Sequence, residues 1–192
     1  MPVVVMTVAE KNAHPQTDNL FIYRFESPDL GSKTIAFNTL ASSPVAIDRR
    51  DVIEATEACG RPRWAKLSAN TDRIIEVAAS VAEAGAEGVT CINTVRGVAY
   101  DPDTCERVLG AGGGGLSGRA IHPVAVRAVH DVHAALPELP IVGVGGVASG
   151  WDAAEMMLAG ASAVQVGTAT FADPRAPAMV ADELERWLVD RH

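Results

Sequence analysis

The chain has 192 residues, 48% of them hydrophobic and 5% aromatic, with 17 Gly, 11 Pro and a formal net charge of −8. That is the profile of one soluble globular domain with enough chain to bury a core, and its acidic balance argues against broad contact with a phosphate backbone. No apolar run approaches the roughly 20 residues of a membrane-spanning helix. The opening MPVVVMTVAEK lacks the charged stretch and cleavage site of an export signal, so the expected compartment is the cytoplasm. Cys59, Cys91 and Cys105 show no CxxC spacing and suggest neither a disulfide framework nor a zinc site.

Along the chain, Val3–Val8, Leu20–Phe25 and Thr34–Phe37 are β-like, with His14-Pro15, Ser27-Pro28 and Gly31-Ser32 as turn material, and Val45–Ala58 is a helical run. We read residues 1–41 as a divergent, β-rich N-terminal segment and 42–192 as a regular α/β part. Arg63–Leu67 predicts a strand, with Asn70, Thr71 and Asp72 as capping residues for a helix over Arg73–Ala84 that Gly85 ends. Gly88–Ile92 predicts a second strand. From Val95 to Arg119 no period is evident, and the stretch holds the Gly-rich run 110–115. The alternation resumes with a helix over Pro123–Leu136, a strand over Ile141–Val144, a helix over Trp151–Leu158, a strand over Ala163–Val166 and a helix over Ala176–Val189. Four strand-helix units in series imply a parallel sheet with right-handed crossovers. A complete eight-stranded β/α barrel needs about 250 residues and rarely fewer than about 200. The fold expected is therefore a partial TIM-type (β/α) barrel, its last four β/α units following the divergent segment.

In parallel α/β folds ligands bind beyond the carboxyl ends of the strands. Those ends carry Lys66, Asn93-Thr94, Gly145-Gly146 and Gly167-Thr168. Paired glycines let backbone N–H groups approach a phosphate closely, as in the site after the last two strands of barrels, though they also serve simply to make tight turns. Lys66 suits a Schiff base, a counter-charge to an anionic cofactor, or a structural ion pair. The Asn93 amide both donates and accepts, which suits a planar ring of mixed polarity, and equally suits a strand-ending turn.

Other residues read as structural. His130 and His133 are spaced for a metal but share their face with Arg127 and Asp131, which marks a solvated surface. Cys91 reads as core and Cys105 as exposed, neither beside a basic partner. Asp152 and Glu155 read as helix N-terminal charges.

Taken together and in order, WAKLSAN at 64–70, GAEGVTCINT at 85–94, GGGLSGRAIHPVAVR at 113–127, the stretch from Pro140 to Phe171 and DPRAP at 173–177 resemble the C-terminal half of class 1 dihydroorotate dehydrogenases, the NAD-linked type above all. The resemblance covers roughly residues 42–192. It implies an FMN-binding β/α barrel that oxidises dihydroorotate to orotate in pyrimidine synthesis, by proton abstraction from one carbon and hydride transfer from its neighbour. Lys66 matches the lysine at the flavin ring, and Ile92 a strand-end residue bordering FMN. Asn93 and Thr94 match the pair that bonds the orotate ring; Gly118 matches a glycine lining the flavin, and Gly145, Gly146, Gly167 and Thr168 match the phosphate loop. The NAD-linked type implies an electron-transfer subunit, and the exposed edges of four parallel strands must be covered by self-association, giving a homo-oligomer, or by the N-terminal strands.

The family's catalytic base is a Cys in an Asn-x-Ser-Cys-Pro-Asn context, and this chain has no such motif. Ser27 before Pro28 is a faint substitute without the asparagines, Cys59 is not assigned the role, and Arg96 stands where the family has a small or apolar residue. The catalytic base is therefore unassigned, and full activity is not expected of this short chain, which reads as truncated. His14–Leu20 with Arg24 faintly resembles a stretch of the oligonucleotide-binding fold of tRNA-binding proteins, but surrounding acids outweigh its bases, so nucleic acid is not an expected partner. Two other readings stay open from the residues alone: a non-catalytic FMN- or phosphate-binding fragment, and an aldolase-type barrel relative using Lys66.

Overall fold

The computed structural model describes the backbone of residues 5–6, 20–27 and 31–39, residues 53, 56 and 57, and, with their side chains, 61–110 and 113–191. The helical run expected over Val45–Ala58 and Cys59 fall largely outside these residues. The strands are β1 (Val5–Met6), β2 (Leu20–Ser27), β3 (Gly31–Thr39), β4 (Arg63–Leu67), β5 (Gly88–Cys91), β6 (Val95–Gly97), β7 (Gly114–Leu116), β8 (Ile141–Val144) and β9 (Ala163–Gln165). Between and after them lie α1 (Ile74–Glu83), a 3₁₀ turn (Arg119–Ile121), α2 (His122–Ala135), α3 (Gly150–Leu158), α4 (Ala169–Ala172) and α5 (Ala176–Val189).

Seven strands form one sheet in the order β1-β9-β8-β5-β4-β3-β2. All pairings are parallel except that of β2 with β3. The four strand-helix units expected from the sequence are present, and the sheet is open, with β1 and β2 at its two ends. β5 is buried along its whole length, as a central parallel strand must be. The helices pack on the sheet through the apolar stripes their spacing sets: Val77, Ala78 and Val81 of α1, Ala125, Val129 and Val132 of α2, Met156 of α3, and Val180 and Leu184 of α5. Full burial of one such aliphatic side chain contributes about 1.5–3 kcal/mol. Gly143 sets how close α3 can come, since a Cβ there would lie 3.1 Å from both Met156 Cβ and Ala161 Cβ.

Two local expectations change. Residues 95–97 and 114–116, aperiodic in sequence, form an antiparallel pair with Val95 opposite Leu116 and Arg96 opposite Gly115. At the start of α1, Arg73 takes the N-cap position and no side chain caps it. Asn70 is used elsewhere, as described below.

Candidate functional site

The strand ends interlock through their backbones. The Asn93 N–H donates to the Leu67 carbonyl at 2.7 Å, joining the end of β5 to the residue after Lys66, and the Ile92 N–H donates to the Val144 carbonyl at 2.8 Å, joining it to the residue before Gly145. The register places Lys66, Thr90 and Val142 in one row on one face of the sheet, and Val144 beside Gln165. On the opposite face Gly143 meets α3. Thr90 Oγ1 and Gln165 Nε2 are buried and have no hydrogen-bond partner among the described residues, which marks the face carrying Lys66 as polar and incompletely satisfied.

Lys66 is half-buried between Ala65 and Leu67, which are both buried. Its removal from water pulls the ammonium down to about 8, and neighbouring Cys91 partly opposes the shift. Burial in turn pushes the Cys91 thiol up to about 12, so this cysteine is a core group and not a nucleophile. Cys105 is exposed.

Asn93 and Thr94 are half-buried and leave the end of β5 side by side. The Asn70 amide grips the segment that follows: Nδ2 donates to the Thr94 carbonyl at 2.9 Å, and Oδ1 accepts from the Arg96 N–H at 2.8 Å. The Arg96 side chain is exposed, so this departure from the family pattern alters the surface while its backbone is held. Gly115 passes beneath Thr94 so closely that a Cβ there would lie 2.6 Å from Thr94 Cβ. The β6–β7 pairing thus seats the Thr94 side chain against bare backbone.

The glycines converge on a second spot. Gly145 and Gly146 have φ of +139° and +69°, conformations that side-chain-bearing residues rarely adopt. A Cβ on Gly146 would lie 2.8 Å from the Gly118 carbonyl oxygen; one on Gly145 would lie 2.6 Å from Ala125 Cβ and 3.6 Å from Ile92 Cγ1. A Cβ on Gly118 would lie 3.6 Å from Thr168 Cγ2, whereas one on Gly167 would meet nothing within 4 Å, so open space adjoins that backbone. Gly118 thus packs close to both Gly146 and Thr168, Gly145 lies beside Ile92, and the Asn93 backbone ties the end of β5 to Leu67, the residue after Lys66.

Several residues depart from their sequence reading. Ser27 pairs with Gly31, and β3 runs from there to Thr39 opposite Lys66, so Ser27 stands at the far end of the sheet and is no candidate for a base. His130 is exposed and Arg127 pairs with Asp131, as a solvated face requires, but His133 packs against Gly160. Glu155 is more than a helix-end charge, because its carboxylate meets His122. The sequence does not single out His122 or Gly115, and it points Asn70 to a helix cap, whereas its side chain holds Thr94 and Arg96. The available signal was their place inside the same motifs as the chosen residues, beside a strand end or a helix start.

The family described as dihydroorotate dehydrogenase matches residues 36–188 of this chain. The chain belongs to the dihydroorotate dehydrogenase family. It is 48% identical over 130 residues to the catalytic subunit of dihydroorotate dehydrogenase B (NAD(+)) of Citrifermentans bemidjiense, covering 68% of this chain and 42% of the relative. It is 38% identical over 179 residues to the corresponding subunit of Bacillus cytotoxicus, covering 93% and 56%. It is 40% identical over 171 residues to dihydroorotate dehydrogenase A (fumarate) of Lactiplantibacillus plantarum, covering 89% and 54%. The chain spans about half the length of the curated relatives it matches. In a member of this family, the open sheet is that of a partial TIM-type barrel.

Proposed function

We propose that this chain is the flavin-binding half of a dihydroorotate dehydrogenase, taking FMN and the dihydroorotate/orotate pair at the strand ends. One observation carries the reading: backbone hydrogen bonds from Asn93 to Leu67 and from Ile92 to Val144 bring together the carboxyl ends of β4, β5 and β8, where Lys66, Asn93-Thr94 and Gly145-Gly146 stand, and Gly118 packs close to both Gly146 and Thr168. These residues fit the group. The close-packed glycines with open space at Gly167 suit a phosphate approached by backbone N–H groups. Lys66 supplies a cation on a face that carries the unpartnered Thr90 hydroxyl.

In this reading Gly145, Gly146, Gly167 and Thr168 hold the FMN phosphate, Ile92 and Gly118 line the cofactor, and Lys66 faces its ring. FMN supplies the hydride acceptor. Asn93 and Thr94 orient the substrate ring by donating to and accepting from its polar edge. The described residues offer no general base beside them, and loss of such a base removes about 10²- to 10⁴-fold in rate, so the chain alone turns over slowly. A second chain completes the function: an electron-transfer subunit of the kind implied by the NAD(+)-linked relatives, or another copy of this one. Among the described residues no helix is long and apolar enough to cross a membrane, and the reading places the reaction in the cytoplasm.

The test is flavin uptake. The purified chain is incubated with FMN and desalted, and the eluted protein is expected to retain flavin absorbance that orotate then perturbs. A folded chain that retains no flavin overturns the reading. Dihydroorotate oxidation by the chain alone at the rate of a full-length relative overturns the judgement on its activity.

A further inference from the structure

Resting on the FMN reading above, we propose that His122 is a positioning residue for the phosphate end of the site, clamping the Gly145-Gly146 loop from behind through the Gly145 carbonyl. The His122 ring, at the start of α2, is buried. Its Nδ1 lies 2.9 Å from the Gly145 carbonyl oxygen and its Nε2 3.2 Å from Glu155 Oε2 on α3. A carbonyl oxygen only accepts, so Nδ1 carries the hydrogen that holds the loop, and Nε2 faces the Glu155 carboxylate.

Other charged groups also stand around the ring. Asp152 Oδ1 on α3 stands 3.9 Å from Nε2, and Asp152 Oδ2 accepts the Ala148 N–H at 2.9 Å and stands 3.8 Å from Arg119 on the 3₁₀ turn. Two carboxylates and one distant guanidinium thus face the ring from two elements, and the loop of β8 faces it with a carbonyl. The backbone of His122 also abuts the loop, since a Cβ on Gly146 would lie 2.9 Å from the His122 nitrogen. Gly145 and Gly146 have the conformational freedom of glycine, and it is the ring that restricts it. A loop whose amides must converge on one phosphate needs that restriction, because each misaimed donor weakens a charge-assisted hydrogen bond.

The test uses the full chain and two flavins that differ only in the phosphate, FMN and riboflavin, titrated by fluorescence into wild type, His122→Ala and His122→Asn. Thermal unfolding of each variant checks that it is folded. His122→Ala is expected to weaken FMN binding roughly tenfold, the scale of one charge-assisted hydrogen bond, and riboflavin binding less than twofold. His122→Asn, which keeps a donor near the Nδ1 position, is expected to recover most of the FMN affinity. Equal losses for FMN and riboflavin, or an unchanged FMN affinity in folded His122→Ala, overturn the positioning role and leave the flavin reading intact. A wild-type chain that binds neither flavin overturns both.

Discussion

The Asn70 side chain holds Thr94 by its backbone carbonyl while its other amide atom holds the Arg96 N–H, a two-point bridge between segments more than twenty residues apart in sequence. The bridge fixes the direction in which the chain leaves Asn93-Thr94. Replacing Asn70 with Ala removes both bonds, each worth about 1 kcal/mol. The variant is expected to lose about 1–2 kcal/mol of stability in urea and to bind orotate several-fold more weakly, with FMN binding unchanged. Equal weakening of both ligands would show that Asn70 supports the whole sheet end and not the substrate pair.

Gly115 separates the two ligands from the opposite direction. A Cβ at this position would lie 2.6 Å from Thr94 Cβ, a distance that real contacts do not show, so Gly115→Ala must displace Thr94. Residue 115 is paired only within the short β6–β7 ribbon, so the expected cost in stability is small, below about 1 kcal/mol. Orotate binding is expected to fall at least tenfold, read by the loss of the orotate-induced change in the flavin spectrum.

Gly146 leaves no such freedom. Its φ of +69° disfavours any side chain, and a Cβ would press on the Gly118 carbonyl and the His122 nitrogen, both backbone atoms that yield little. Gly146→Ala is expected to destabilise the chain by about 2–4 kcal/mol and to abolish FMN retention. An FMN-competent Gly146→Ala protein of wild-type stability would mean that this loop lies elsewhere.

The neighbouring Lys66 and Cys91 set a pH dependence with two opposed signs. Lys66 falls to about 8 in the folded chain from 10.5, so from pH 8 upward the unfolded chain holds a proton that the folded chain has released, and stability rises with pH. Cys91 rises to about 12 from 9.0, so above pH 9 the unfolded chain loses a proton that the folded chain keeps, and stability falls. Only the window between pH 8 and 9 isolates Lys66. There the wild type is expected to gain on the order of 1 kcal/mol, and Lys66→Met to gain nothing. Urea midpoints at the two pH values for both proteins decide it.

The sequence made the β/α alternation legible because each helix carries a 3.6-period stripe and each strand is a short apolar run bounded by glycine or a turn. The strand ends were legible for a related reason: in a parallel sheet chemistry has one place to gather. What escaped was structure held by single side chains. The β6–β7 ribbon is built partly from glycines, which have little β preference, and its order comes from Asn70 and from Thr94 seated on Gly115. The capping sequence 70–72 was misread because the Asn70 side chain is drawn to a strand end instead of the helix. His122 looked like an ordinary residue at a helix start because its partners, Gly145 and Glu155, lie more than twenty positions away.

The reversal of β2 bears on any attempt to rebuild a working enzyme from this chain. Leu20 lies opposite Asn38 and Thr39 opposite Lys66, whereas Ser27 and Gly31 close the other end, about 23 Å away at roughly 3.3 Å per residue. A proton acceptor grafted beside Ser27 or Gly31 would be stranded at the far end of the sheet. Grafts have to enter through the exit of β3 after Thr39, or the approach to β2 before Leu20, where a short insertion brings new side chains level with Lys66.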